Sequence, residues 1–167
     1  MGQVFHTIEP VFNENSRVLI LGTMPSPKSR EAGFYYAHPQ NRFWRVLAEV
    51  FGESVPAGTE ERRSFAIKHN IALWDVLASC DIEGAADSSI KNPTPNDIAW
   101  LVSKTKIRSI FTTGGAAYRF YNKYCAAKTG IQAVGLSSTS AANARMKLDK
   151  LVEEYRVIYN AAVGQEA

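Results

Sequence analysis

"RVLILGT", residues 17–23, decides the fold. Four consecutive apolar residues stand between Arg17 and Gly22. A run this short cannot make a helix with one wet face, and its lack of alternation is how a strand buried on both faces reads. Such strands belong to parallel sheets, and three further segments read as strands: "IALWDVL" from Ile71, strand-like at its start, "IRSIFTT" from Ile107 and "IQAVGL" from Ile131. Helix-like segments separate them. "NRFWRVLAEVFG", residues 41–52, puts Phe43, Leu47, Val50 and Phe51 on one face, with Asn41 placed to cap its start and Gly52 to end it. "EERRSFAIKHN" (60–70) reads as a more polar helix, "DIAWLVSKT" (97–105) as another, and "GGAAYRFYNKYCAA" (114–127) as one entered through two glycines. "ARMKLDKLVEEYRVIYNAA" (144–162) reads as a long closing helix, and "KNPTPND" (91–97) as loop. Strand and helix alternating about four times predicts an α/β fold: three α/β/α layers around a central, mostly parallel four-stranded sheet.

The 167 residues, 46% of them hydrophobic, suffice for one compact domain spanning residues 1–167. No secretory-signal pattern opens the chain and no apolar run approaches the ~20 residues that span a bilayer, so the expectation is a soluble cytoplasmic protein with no membrane partner. Cys80 and Cys125 are too few for a four-cysteine cluster and read as reduced, packed thiols. His6, His38 and His69 are scattered, with no acidic neighbour at ligand spacing, so neither a metal nor a cofactor is expected. The net charge of +3 neither requires nor opposes a nucleic-acid partner.

In open parallel sheets ligands sit beyond the carboxyl ends of the strands, where loops converge. That rule selects "GTMPSPKS" (22–29), the stretch around Leu73 to Ser79, "TTGG" (112–115) and "LSSTSAAN" (136–143). The aromatic segment "GFYYAHPQNRFW" (33–44) follows the first and is expected over the same crevice. Each piece also has an ordinary reading: a strand-to-loop turn for "GTMPS", a helix cap for Asn41, core for the aromatics (above all Phe43 and Trp44), a solvated turn for "SSTS" and a solvated charge for Lys28. Singly, none decides between the two.

Their order and spacing do more. "LGTMPSPKSREAGFYYAHPQNRFW", then "IALWDVLASCDIEGAADSSIKNPTPND", then "LSSTSAANA" together resemble the hypoxanthine-DNA glycosylases of the uracil-DNA glycosylase superfamily, over nearly the whole chain. The resemblance implies a DNA repair enzyme that flips a deaminated base, chiefly hypoxanthine, out of double-stranded DNA. It would hydrolyse the N-glycosidic bond without a metal, leaving free base and an abasic site. The other readings on the same fold are a uracil- or xanthine-directed glycosylase and a catalytically silent DNA-binding module. The implied partners are damaged duplex DNA and downstream abasic-site repair enzymes; the implied setting is a monomer in the cytoplasm, at the nucleoid of a prokaryote.

The resemblance also distributes roles. Asn41 matches the catalytic asparagine of the hypoxanthine branch. Tyr36 matches the ring that stacks on the flipped base, with Phe34 and Tyr35 as substitutes. Gly22, Thr23, Met24, Pro25 and Ser26 would shape the base pocket, Met24 standing where relatives carry an acid or amide, so no carboxylate is expected there to activate water. Ser138, Thr139, Ser140 and Asn143 match the loop that presses into the minor groove, and Lys28 joins them as a DNA contact. Prolines that flank this loop in the family are here Ser137 and Ala141.

Overall fold

The computed structural model describes residues 2–83 and 86–164. Its centre is a parallel sheet of β2 (Val18–Gly22), β3 (Ile71–Asp75), β6 (Ser109–Thr113) and β7 (Ala133–Leu136), ordered β3-β2-β6-β7. The register pairs Gly22 with Asp75 and Leu21 with Thr112, so the strands end together along one edge of the sheet. β2 is central and buried throughout, as its apolar run requires. Period-two alternation sends Val18 and Ile20 to one face and Leu19 and Leu21 to the other.

Helices cover both faces. On one side lie α2 (Phe43–Phe51), α3 (Gly58–Lys68) and α7 (Leu148–Ala162), with Phe43, Leu47, Phe65, Tyr155 and Ile158 filling the core. On the other lie α4 (Ile98–Ser103), α5 (Gly115–Tyr124) and the short α6 (Ala126–Thr129), where Leu101, Ala117 and Tyr121 are buried. A short α1 (Pro27–Ala32) follows β2, begun by the Ser26 hydroxyl, which accepts from the Ser29 N–H, with Pro27 just inside. These are the three layers that the sequence pattern predicts. No helix among the described residues is long and apolar enough to cross a membrane.

Three expectations need correction. A second, antiparallel sheet stands beside the first, ordered β1-β4-β5 and built from β1 (Gly2–Phe5), β4 (Leu77–Ile82) and β5 (Lys91–Pro95). "KNPTP" is therefore strand, not loop: β5 lies at the edge, where Pro93 and Pro95 need not donate to a neighbour. The closing helix starts at Leu148, because residues 144–147 belong to the preceding loop. Arg42, not Asn41, occupies the position before α2, although the Asn41 amide oxygen still accepts from the Phe43 N–H at 2.9 Å; Gly52, at φ 67°, ends the helix as expected.

Candidate active site

A cavity of about 360 Å³ opens where the parallel strands end. Gly22, Thr23, Met24, Pro25 and Ser26 line it beyond β2, Asp75 at the end of β3, Thr113 at the end of β6, and Ser138 and Ser140 beyond β7. The segment after α1 adds Tyr36, His38, Gln40 and Asn41, and a 3-10 turn at Asp87–Ser89 adds Asp87. The volume suits a small planar ligand.

Asn41 is held by its oxygen alone. Its Oδ1 accepts from the Phe43 N–H at 2.9 Å and from the Thr139 hydroxyl at 2.7 Å. Because a backbone N–H can only donate, this fixes which end of the amide is which. The NH₂ group takes no acceptor among the described residues, and Asn41 lines the cavity. The residue therefore presents two donors, which suits negative charge growing on a bound group.

The aromatic segment divides its work. Tyr36 lines the cavity with a φ of 53°, a left-handed conformation unfavourable for a bulky residue and costing about 1–3 kcal/mol when imposed. Two contacts impose it: a stack on Phe43, centroids 3.7 Å apart and planes 13° off parallel, and a 3.0 Å hydrogen bond between its hydroxyl and that of Thr113. Burial, and then the nearby Asp75 charge, raise the Tyr36 phenol far above its ordinary range, so it stays neutral. Phe34 is corrected from pocket wall to core: it is 1% exposed and packs edge-on against Tyr35 and stacked on Trp44, away from the cavity. Tyr35 reaches the cavity wall, but its hydroxyl donates to the Ile8 and Glu9 carbonyls and its ring is buried.

Two carboxylates that the sequence reading omits line the same cavity. Asp75, 4% exposed, accepts from His6 Nε2 through Oδ2 at 2.8 Å. Its Oδ1 takes no hydrogen bond among the described residues and lies against Gly22, where a Cβ would sit 2.6 Å away. Only glycine at position 22 lets β2 approach the carboxylate this closely. Asp87 accepts weakly from the Thr23 hydroxyl at 3.5 Å, and desolvation raises its carboxyl above the ordinary 3.8. Asp75 lay within one of the four stretches that the strand-end rule selects, and an acid closing an apolar strand was the available signal. His6, 69 residues away on the segment after β1, offered none.

The remaining expected residues fall into groups. The Ser26 hydroxyl caps α1 and also donates to the Ser29 hydroxyl at 3.3 Å. Ser138 and Ser140 line the cavity and remain partly exposed. The Asn143 amide donates to the Ser138 carbonyl, inside the loop. Thr139, expected among the DNA contacts of this loop, is 1% exposed and its hydroxyl is given to Asn41. Lys28 stands exposed on α1, 3.8 Å from Glu31, and does not line the cavity. Among the described residues no group of three or more His, Cys, Asp or Glu could hold a metal ion.

Fold and site together define a three-layer α/β/α protein with a small-ligand cavity at the carboxyl ends of its parallel strands, walled by a stacked ring, an amide and two acids. The model of the uracil DNA glycosylase superfamily matches residues 9–162, and the chain belongs to that superfamily. It is 34% identical over 142 residues to a hypoxanthine DNA glycosylase of Methanosarcina acetivorans, covering 84% of this chain and 89% of that one. A hypoxanthine DNA glycosylase of Methanosarcina barkeri is also 34% identical, over 137 residues, covering 81% and 86%. The solution NMR structure of a candidate uracil DNA glycosylase from M. acetivorans superimposes with a TM-score of 0.77 at 30% identity, covering 92% of this chain and 97% of that one.

Proposed function

We propose that this protein is a DNA glycosylase for deaminated bases, chiefly hypoxanthine, and that Asp75 distinguishes hypoxanthine from adenine. The observation that carries the reading is the free Oδ1 of Asp75 in the cavity, held in place through Oδ2 by His6. Deamination turns adenine, whose N1 is a lone pair, into hypoxanthine, whose N1 carries a proton. A fixed carboxylate accepts from that N–H and repels the adenine lone pair. A mismatch of this kind leaves a buried polar group unpaired, and sites built on such a bond discriminate by roughly 10⁴-fold. The N3–H of uracil and the N1–H of xanthine fit the same acceptor, as do the N3–H of thymine and the N1–H of guanine, so Asp75 rejects adenine and cytosine, and other pocket contacts must exclude thymine and guanine.

The other groups supply the chemistry around it. The base, flipped from the duplex, stacks on the Tyr36 ring, which Phe43 backs and Thr113 pins. As the bond from N9 to deoxyribose breaks, negative charge grows on the base and the Asn41 NH₂ donates to it. The positive charge on the sugar lies near the DNA phosphates. Asp87, the second carboxylate on the cavity wall, would accept from the attacking water. Ser138 and Ser140 at the rim bond the phosphates that flank the lesion.

The test is single-turnover release of free base from a duplex carrying one deoxyinosine, in the presence of a chelator. Release of hypoxanthine, leaving an abasic site, is expected. Activity that vanishes in chelator and returns with zinc or magnesium sinks the metal-free mechanism, and no release under any condition sinks the enzyme reading.

A further inference from the structure

We propose that Arg42 and Thr139 are positioning residues that make the 138–146 loop and the Asn41 amide a single preorganised unit, so that seating the loop on DNA and aiming the amide are one event. The inference rests on the reading that Asn41 acts in the cavity. Irregular backbone needs donors for its carbonyls, and here one side chain provides them. The Arg42 guanidinium donates to the carbonyls of Thr139 (3.4 Å), Ser140 (3.0 Å) and Asn143 (3.0 Å), and to that of Met146. Its own backbone N–H donates to the Thr139 carbonyl at 3.1 Å. Four bonds fanned over one planar fork are within reach of arginine and beyond the compact ammonium of lysine. With its N–H groups so engaged, Arg42 organises the loop from behind in place of gripping phosphate.

Thr139 joins this clamp to the amide. Its carbonyl is held by Arg42, and its buried hydroxyl is held by Asn41 Oδ1 at 2.7 Å. That hydroxyl and the Phe43 N–H together occupy the amide oxygen, which is what turns the NH₂ group toward the cavity. A loop displaced from Arg42 would carry Thr139 with it and release one of the amide's two restraints. Preorganisation of this kind lowers the ordering that binding would otherwise demand and holds the donor where charge develops.

Three variants test the proposal: Thr139→Val, which removes only the hydroxyl, Thr139→Ser, which keeps it, and Arg42→Lys, which keeps the charge. Each is measured below its own unfolding transition. Thr139→Val should slow single-turnover release from a deoxyinosine duplex about tenfold, the effect of losing one orienting hydrogen bond, while Thr139→Ser stays within roughly twofold. Affinity of Thr139→Val for a duplex bearing a stable abasic-site analogue should be unchanged, because the hydroxyl does not reach DNA. The NMR signals of the Asn41 side-chain NH₂ should move in the valine variant and stay in the serine variant, a readout independent of activity. Arg42→Lys should speed amide hydrogen exchange in residues 138–146 by about tenfold or more, and weaken binding to duplexes with and without the lesion. A valine variant with the wild-type rate and unmoved Asn41 signals overturns Thr139, and unchanged exchange in Arg42→Lys overturns the clamp. If the wild type releases no base, the functional reading fails, and the NMR and exchange results decide the positioning by themselves.

Discussion

Gly22→Ala reaches the proposed base-reading acid by adding one methyl group. A Cβ at position 22 would lie 2.6 Å from Asp75 Oδ1, 3.3 Å from the Tyr36 hydroxyl and 3.6 Å from Thr113 Oγ1. An ordinary contact begins near 3.4 Å, so the carboxylate must retreat by about 0.8 Å, while the two hydroxyls need scarcely move. Asp75 cannot retreat freely, because Oδ2 is bonded to His6 at 2.8 Å and both side chains are buried. The backbone of β2 is extended at Gly22, so the substitution brings no conformational penalty of its own. Overpacking should lower stability by about 1–3 kcal/mol. Misplacing a base-contacting group by close to 1 Å should lower the single-turnover rate on deoxyinosine by about 10²-fold. The assay is base release at saturating enzyme, with thermal unfolding to certify that the variant is folded. A folded Gly22→Ala protein with a wild-type rate refutes the argument that Asp75 Oδ1 contacts the base.

Asn41→Ala should reduce the single-turnover rate by ~10²-fold or more, as expected on removing one preorganised donor, while losing about 1 kcal/mol from the start of α2 and a further ~1–3 kcal/mol from the buried Thr139 hydroxyl left unpaired; unaltered rates in folded Asn41→Ala and Asn41→Asp would transfer catalysis elsewhere. Tyr36→Ala removes a stacking face worth ~1–3 kcal/mol, so it should slow release at inosine yet leave affinity for undamaged duplex intact, and equal loss on both DNAs argues against the platform. The raised carboxyl of Asp87 means that its ionised form burdens the folded state at neutral pH. Asp87→Asn should therefore be more stable than wild type near neutrality, by a margin that shrinks as pH falls through the raised value and closes below the ordinary 3.8, where the acid is protonated folded and unfolded alike. Urea unfolding across that range checks it, and a margin independent of pH contradicts it.

The parallel sheet was legible because burial on both faces leaves no alternation to misread: "VLIL" has no wet side to encode. The helices on its faces were legible from spacing, down to Gly52 at the end of α2. The antiparallel sheet was not. β1 has four residues and β5 carries two prolines, so neither has a pattern of its own, and both depend on β4 for their pairing. In the site, only the resemblance singled out Asn41 and Tyr36 from their segment, and both line the cavity. Phe34 was misplaced because adjacent aromatics in an irregular turn follow no period that says which ring faces inward. Thr139 reads as a solvated hydroxyl among serines, and only the fold shows it buried against Asn41, 98 residues earlier. The His6–Asp75 pair joins residues 69 apart through the antiparallel sheet that the sequence concealed.

The most direct measurement is a panel of duplexes identical except at one position, carrying deoxyinosine, deoxyxanthosine, deoxyuridine, deoxyadenosine or deoxycytidine, with free base quantified under single turnover. A fixed carboxylate that reads a ring N–H predicts release of the three deaminated bases and rejection of adenine and cytosine by roughly 10⁴-fold. Release of adenine at a rate near that of hypoxanthine would contradict the account, because the lone pair at N1 of adenine cannot face Asp75 Oδ1.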